Sequence, residues 1–270
     1  MRVMDVPGAG DRRRSRWILP ARTQGTVSCR LFCLPYAGGG ASVYRTWGTG
    51  LPDSIAVHAI QPPGREERFN EPPMTDLREL ARELALELLP LLDLPYAVFG
   101  HSMGALLAYE LLQQLSAMRA VPPRHLFLSS YLPPQYTRRW APIHQLPDDE
   151  FLEEIRKLNG TPDAVLRHPE LMALLLPTLR ADFAACERYV PQHPVAMSWP
   201  VTVYGGTDDT DVPAELLAGW QRHTAASFRM RLFDGDHFFL AACRDALLDD
   251  IRTTLLPAPT PPPRSSETIG

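Results

Sequence analysis

The sequence is poor in cysteine. Its 270 residues include four cysteines, and no two of them form a Cys-x-x-Cys pair. Cys29 and Cys33 fall in one predicted strand, where four residues of extended chain separate them by roughly 13 Å, too far for a disulfide. Neither a zinc cluster nor a disulfide framework is therefore expected. We expect four reduced thiols in a cytoplasmic protein.

Excess positive charge and long apolar runs are also missing. The formal net charge of -4 gives no case for a nucleic-acid partner. Residues 1–22 hold several arginines but no apolar segment of the kind found in signal peptides. No apolar run approaches the roughly 18 residues that span a membrane. We therefore predict a flexible arm over residues 1–22, a single domain over 23–256, and a disordered Pro/Ser/Thr-rich tail over 257–270.

Short apolar runs alternate with helical patterns through this domain. Each run is bounded by Pro, Gly or polar residues, which is typical of strands buried on both faces. The alternation predicts an α/β fold with a mostly parallel central sheet flanked by helices. The predicted strands are residues 29–34, 56–61, 96–100, 126–130, 201–204 and 229–233. The predicted helices are residues 75–92, 105–115, 214–220 and 239–256.

One stretch interrupts this alternation. About 70 residues separate the strand ending near Ser130 from the one beginning at Val201, whereas a plain βαβ unit needs about 30. The excess predicts three helices, over residues 147–158, 164–176 and 179–189. An insertion after the carboxyl end of a strand lies where open α/β sheets bind ligands. We interpret residues 133–198 as a lid, the alternative being an inert helical layer.

A nucleophile motif lies between a predicted strand and a predicted helix. Residues 100–104 read Gly-His-Ser-Met-Gly and fit G-x-S-x-G. Ser102 would stand at the tip of a sharp turn, close to a helix N-terminus that favours negative charge. We predict Ser102 as the nucleophile and assign neighbouring His101 to packing.

A serine needs a base to take its proton. His237 follows a late predicted strand in a glycine-containing loop, as the Ser…Asp…His order requires. His223 and His193 are weaker candidates, one in an exposed helix end and one inside the insertion. The acid should follow the preceding strand, where Asp208, Asp209 and Asp211 all remain candidates.

The oxyanion hole requires two backbone N–H donors. One is expected from Met103, the residue after the nucleophile, and the other from the loop after an early strand. Residues 34–40 read Leu-Pro-Tyr-Ala-Gly-Gly-Gly, and consecutive glycines allow a substrate to approach the backbone closely. No Gly-Lys-Ser/Thr follows, so a nucleotide site is rejected.

Six segments together resemble the free-standing type II thioesterases of polyketide and non-ribosomal peptide synthesis, which have the α/β-hydrolase fold. The resemblance implies a triad of Ser102, Asp209 and His237, with oxyanion donors on Ala37 and Met103. It also implies a helical lid over the acyl pocket. The segments are residues 34–39, 61–68, 100–104, 179–183, 204–209 and 235–239.

The chain departs from the family where Asp-Pro is common, since Thr210 follows Asp209, and this leaves Asp211 as an alternative acid. Arg65 and Arg68 are interpreted as loop supports paired with Glu66 or Glu67. The alternative is that they contact the phosphate of a phosphopantetheine arm.

The resemblance further implies the substrate and the partners. The expected substrate is an acyl group on an acyl or peptidyl carrier protein, and the enzyme would clear stalled or aberrant units from a synthase. Phosphopantetheine arrives with that substrate, so no cofactor or metal is expected, and a monomer is expected. The alternatives are a small-molecule esterase, a product-releasing thioesterase, and a non-catalytic protein that binds carriers.

Overall fold

The computed structural model describes residues 15–20, 23–136, 141–158, 168–191 and 196–256. The predicted C-terminal tail and most of the predicted N-terminal arm lie outside the described residues, as does His193. All four cysteines are free thiols, as expected. Within the described residues, none of the helices combines the length and hydrophobicity needed to cross a bilayer.

Six strands form one sheet in the order β2-β1-β3-β4-β5-β6, and every pairing within it is parallel. The predicted α/β class and all six predicted strands are confirmed, with each strand end within two residues of its expected position. The strands are β1 (Cys29–Leu34), β2 (Ile55–Ala59), β3 (Tyr96–His101), β4 (His125–Ser129), β5 (Val201–Gly206) and β6 (Phe228–Phe233).

The chain reverses its direction of winding between β1 and β3. Strand β2 lies on one side of β1, and every later strand lies on the other side. In open parallel sheets such a switch point opens a crevice at the carboxyl ends of the strands. The loops that follow β1 and β3 therefore meet at one place.

Helices cover both faces of the sheet. On one face lie α1 (Leu77–Leu88) and α2 (Met103–Ala117). Asp76 caps α1 by accepting the backbone N–H groups of residues 78 and 79. The other face is covered by α7 (Arg244–Leu255) together with aromatic side chains of the segment after β1, Tyr44 and Trp47. Burial of these apolar faces drives the layers together.

Several predicted helix ends are wrong. Residues 239–256 form two helices, α6 (Phe239–Ala242) and α7, separated at Cys243. Residues 214–220 form a short α5 (Ala214–Leu217), which continues as a 3₁₀ helix to His223. Periodicity alone does not reveal such local changes, because over one or two turns the apolar spacings of an α-helix and a 3₁₀ helix are too similar to be told apart.

The insertion between β4 and β5 contains α3 (Asp148–Lys157) and α4 (Pro169–Glu187). Residues 164–167 of the second helix predicted here lie outside the described residues; from Pro169 onward, the second and third predicted helices are one helix, which passes through Pro177. Proline removes one backbone hydrogen bond. The helix nevertheless continues, because Thr178 and Leu179, immediately after the proline, contact the loops beneath it. The insertion also has an apolar cluster of its own, composed of Phe151, Ile155, Met172 and Leu179.

Candidate active site

Ser102 lies on a strained turn between β3 and α2. Its φ of 53° and ψ of -122° are unusual for a residue with a side chain, at a cost of about 1–3 kcal/mol. The backbone N–H of Ser102 donates to the Ser129 carbonyl at 2.8 Å, which ties the turn to β4. The strained residue is thus the one expected to carry the nucleophile.

The two glycines of the motif are required by space. A Cβ on Gly100 would lie 2.0 Å from the carbonyl oxygen of Gly104. A Cβ on Gly104 would lie 2.2 Å from the carbonyl oxygen of Leu34. Both contacts are far below van der Waals distance, so the strand, the helix and the loop after β1 meet here only because both side chains are absent.

His237 bridges Ser102 and Asp209. Its Nε2 lies 3.0 Å from the Ser102 hydroxyl, and its Nδ1 lies 2.8 Å from Oδ2 of Asp209. In the tautomer that donates Nδ1–H to Asp209, Nε2 accepts the serine hydroxyl proton. The structure therefore brings together the three residues expected as the triad. The other described candidate base, His223, contacts Gln135 instead.

The carboxylate of Asp209 is held from two sides. Oδ1 accepts the backbone N–H groups of Asp211 and Val212 at 3.1 and 3.0 Å, which leaves Oδ2 for His237. Burial alone would raise the pKa of Asp209, but the His237 contact and these two N–H donors outweigh it and lower the pKa. Asp211 contributes its backbone here, and the exposed Asp208 is hydrogen-bonded by Thr207.

His101 packs behind the histidine of this triad. Its ring is fully buried, lies 5.4 Å from the His237 ring between centroids, and has its Nδ1 2.8 Å from the Ser129 hydroxyl. Burial, and secondarily the charge that His237 can carry, hold the pKa of His101 well below its ordinary value. The ring is therefore neutral and serves packing, as expected.

The glycine loop after β1 forms a tight turn beside this site. The N–H of Gly39 donates to the Tyr36 carbonyl at 2.9 Å, and Gly38 has a φ of 76°. These features match a type II turn with Ala37 and Gly38 at its centre. The contact between Gly104 and the loop backbone sets the turn against the start of α2. Met103 is the first residue of α2, where backbone N–H groups have no partner within the helix.

The expected partners of Arg65 and Arg68 are wrong. Arg65 makes a bidentate ion pair with Asp182 of α4, with N–O distances of 2.7 and 2.8 Å. Arg68 pairs with Glu71. Glu66 instead accepts hydrogen bonds from the backbone N–H and the hydroxyl of Ser42.

Asp182 is the residue at this site whose role sequence reasoning missed. It is almost completely buried on α4 and accepts the backbone N–H of Gly38 at 2.7 Å as well as the Arg65 side chain. The available signal was an acidic residue within an otherwise apolar helical segment, since buried carboxylates are retained only with partners.

No metal-binding constellation accompanies these residues. Among the described residues, there is no group of three or more His, Cys, Asp or Glu side chains placed to hold a metal ion.

Comparison with known proteins agrees with the geometry. The thioesterase domain model matches residues 29–255. Linear gramicidin dehydrogenase LgrE of Brevibacillus parabrevis is 43% identical over 244 residues, covering 89% of this chain and 93% of that protein. Gramicidin S biosynthesis protein GrsT of Aneurinibacillus migulanus is 42% identical over 226 residues, covering 84% and 88%.

A solved structure is similar over nearly its whole length. The type II thioesterase BorB from the borrelidin biosynthetic cluster superposes with a TM-score of 0.82 at 35% identity, covering 89% of this chain and 98% of that one. The name of LgrE refers to redox chemistry, whereas the family model and BorB refer to thioester cleavage, which is the chemistry that a serine–histidine–aspartate arrangement supports. The chain therefore belongs to the thioesterase family, a family of hydrolases that act on thioesters and share this α/β-hydrolase fold.

Proposed function

We propose that this protein is a type II thioesterase that removes aberrant or stalled acyl units from the phosphopantetheine arm of acyl or peptidyl carrier proteins. The observation that carries the proposal is the pair of hydrogen bonds that links Ser102 to His237 and His237 to Asp209. The likeness to BorB and to a gramicidin S biosynthesis protein supports the carrier-bound substrate.

The reaction proceeds in two acyl transfers. In the first, Ser102 Oγ attacks the thioester carbonyl while His237 Nε2 takes the hydroxyl proton, and the amides of Ala37 and Met103 hold the oxyanion. The C–S bond then breaks, and the pantetheine thiol leaves with the proton that His237 returns. In the second, water attacks the acyl-serine carbonyl while His237 takes a proton from it; the bond from the acyl carbon to Ser102 Oγ then breaks, His237 returns the proton to Oγ, and the free acid leaves.

Asp209 serves this cycle by holding His237 in one tautomer. Its carboxylate also stabilises the imidazolium that forms when the serine proton is transferred. The lowered pKa of Asp209 suits this role, because it favours the charged carboxylate that stabilises the imidazolium. Asp211 is not assigned as the acid.

The helical insertion, residues 133–198, is proposed to be the lid of the acyl pocket. Its helix α4 lies directly over the glycine turn, since the side chain of Leu179 occupies the space that a Cβ on Gly38 would need. The rest of the proposal is a cytoplasmic monomer that uses no cofactor of its own and has one catalytic domain, over residues 23–256.

Relative rates on matched substrates test the proposal. We expect the protein to cleave an acyl group from a carrier-protein thioester much faster than it cleaves the corresponding oxygen ester. We also expect Ser102→Ala to abolish the thioester reaction without loss of folding. Faster oxygen-ester cleavage would favour a small-molecule esterase. Unchanged turnover by Ser102→Ala would mean that the protein only binds carriers or uses other chemistry.

A further inference from the structure

Helix α4 of the insertion reaches the glycine turn through one carboxylate. Asp182 Oδ2 accepts the N–H of Gly38 at 2.7 Å, and the Arg65 side chain donates to the carbonyl of Gly39 at 3.1 Å. The Gly38 N–H lies in the peptide after Ala37, and the Gly39 carbonyl lies further along the chain. The Ala37 N–H, the proposed oxyanion donor, lies in the peptide before Ala37. One ion pair therefore hydrogen-bonds the turn at two backbone groups, the Gly38 N–H and the Gly39 carbonyl.

The orientation of the central peptide of the turn depends on the hydrogen bond from the Gly38 N–H to Asp182. Type I and type II turns differ by a rotation of the peptide that joins the two central residues, here Ala37 and Gly38. Glycine at the second central position tolerates both forms, since it has no Cβ to exclude either. The Asp182 carboxylate accepts the Gly38 N–H in the observed form, so it selects that form. The Ala37 N–H belongs to the preceding peptide and does not rotate in this flip. The ion pair therefore acts on it by fixing the ψ angle of Ala37 and the position of the Ala37 Cα, to which both peptides are attached.

The ion pair is built to be rigid and neutral. Asp182 and Arg65 have 1% and 4% of their side chains exposed, and the bidentate contact fixes both planar groups. The guanidinium also cancels the carboxylate charge. That cancellation matters because an unpaired anion next to an oxyanion hole would oppose the negative charge that develops there.

We propose that Asp182 and Arg65 are positioning residues that set the Ala37 amide in the oxyanion hole, so that helix α4 must be seated on the turn for thioester cleavage to occur. The inference rests on the proposed function, because it assigns Ala37 as a donor. Neither side chain touches the reacting atoms. They act through the backbone of the turn.

The energetic consequence falls on the transition state. Removal of one oxyanion donor lowers kcat by about 10²–10³-fold, so a donor that is present but misplaced should lower it by about 10- to 100-fold. Ground-state binding of the acyl chain uses other contacts, so KM should stay within about threefold. A purely structural ion pair would change the melting temperature and leave kcat per folded molecule unchanged.

The test uses the double variant Arg65→Met/Asp182→Leu. Apolar replacement of both members of a buried pair avoids an unpaired charge and is often neutral for folding. We expect a near-native melting temperature, a kcat reduced about 10- to 100-fold, and a Ki for an acyl-pantetheine trifluoromethyl ketone that is raised by the same factor. That ketone forms a tetrahedral alkoxide on the serine and so reports the oxyanion hole directly.

Two further variants complete the design. Asp182→Asn tests the same contact if the double variant does not fold. It keeps the side-chain volume but cannot accept hydrogen bonds from all three donors, the Gly38 N–H and the two Arg65 nitrogens, so kcat should fall by about 3- to 10-fold. The matched control is Asp148→Asn, which breaks the exposed pair that Arg180 forms two residues away on α4. It should leave kcat and Ki within twofold.

The outcomes separate the inference from the proposed function. Wild-type kcat and Ki in the folded double variant, with Ser102→Ala inactive, would overturn the role of the ion pair and leave the thioesterase assignment standing. An equal loss in Asp148→Asn would attribute the effect to general loosening of α4 and would also overturn it. Turnover that survives Ser102→Ala would remove both proposals.

Discussion

Replacement of Asp209 by asparagine changes one side-chain oxygen into an amide nitrogen. The hydrogen-bond donors around residue 209 determine which of the two oxygen positions the nitrogen takes. The backbone N–H groups of Asp211 and Val212 both point at Oδ1, so the remaining carbonyl oxygen of the amide must occupy that position. The NH₂ group then faces His237 Nδ1 at the site of the present 2.8 Å contact. Because NH₂ can only donate there, Nδ1 becomes an acceptor and the ring carries its proton on Nε2.

That tautomer cannot take the proton of Ser102. In serine-hydrolase triads, holding the histidine in the wrong tautomer lowers kcat by about 10⁴-fold, which corresponds to about 5.5 kcal/mol of transition-state stabilisation. The fold should be little affected, since the two backbone N–H donors keep their acceptor. We therefore expect Asp209→Asn to lose about 10⁴-fold in kcat with a melting temperature close to that of the wild type.

The assay is the release of pantetheine thiol from an acyl-pantetheine thioester, measured with a thiol-reactive dye, alongside a thermal melt. Asp211→Asn is the matched control, because Asp211 supplies only its backbone to the site, and its kcat should stay within threefold of wild type. A kcat above a tenth of wild type in Asp209→Asn, or a comparable loss in Asp211→Asn, would refute this account of the acid.

Three predictions concern stability. Gly100→Ala would place a Cβ 2.0 Å from an α2 carbonyl oxygen, so urea unfolding should show a loss of about 3 kcal/mol or more, and a near-native midpoint would contradict the packing described at the elbow. Burial lowers the pKa of His58 and of His125 to about 4, so the unfolded chain gains protons below about pH 6.5 while the folded chain does not. Stability should therefore fall between pH 6.5 and 4, by up to about 1.4 kcal/mol per pH unit for each ring, and a flat profile would be inconsistent with neutral, partly buried rings. Tyr189→Phe removes the hydroxyl that donates to the buried Glu110 carboxylate at 2.7 Å, which should cost about 1–3 kcal/mol in the same unfolding assay, and an unchanged midpoint would argue against that contact.

The sheet was predictable because its signal is local. Parallel strands such as β3 and β5 have every residue buried, so each is a mostly apolar run that ends at polar or glycine residues. Ser102 was equally predictable from sequence, because the tight packing around it requires the two neighbouring glycines, and these are visible in a five-residue motif. The residues alone left three aspartates open as the acid, since the side-chain directions in the loop after β5 depend on irregular backbone angles that no periodicity encodes.

The contacts between the insertion and the rest of the domain could not be predicted from sequence patterns. Arg65 and Asp182 are 117 residues apart in the chain, and nothing near Arg65 distinguishes a distant partner from the adjacent glutamates that were expected. Pro177 led to the opposite error, the prediction of a helix break where the helix is continuous. Proline within a helical pattern favours a helix end, but contacts from Thr178 and Leu179 to the loops below outweigh the single hydrogen bond that it removes.

The separate apolar cluster of the insertion has a consequence for how this enzyme can be altered. Phe151, Ile155 and Met172 pack mainly with one another and with Leu179, and they form a cluster distinct from the two that bury the sheet. In the proposed lid, changes of side-chain size among the first three should alter the cover of the acyl pocket, while the two clusters that bury the sheet keep their own residues. The lid proposal therefore predicts that substrate range can be changed by redesign of a few helical residues, whereas Leu179 also contacts the glycine turn and should be held fixed.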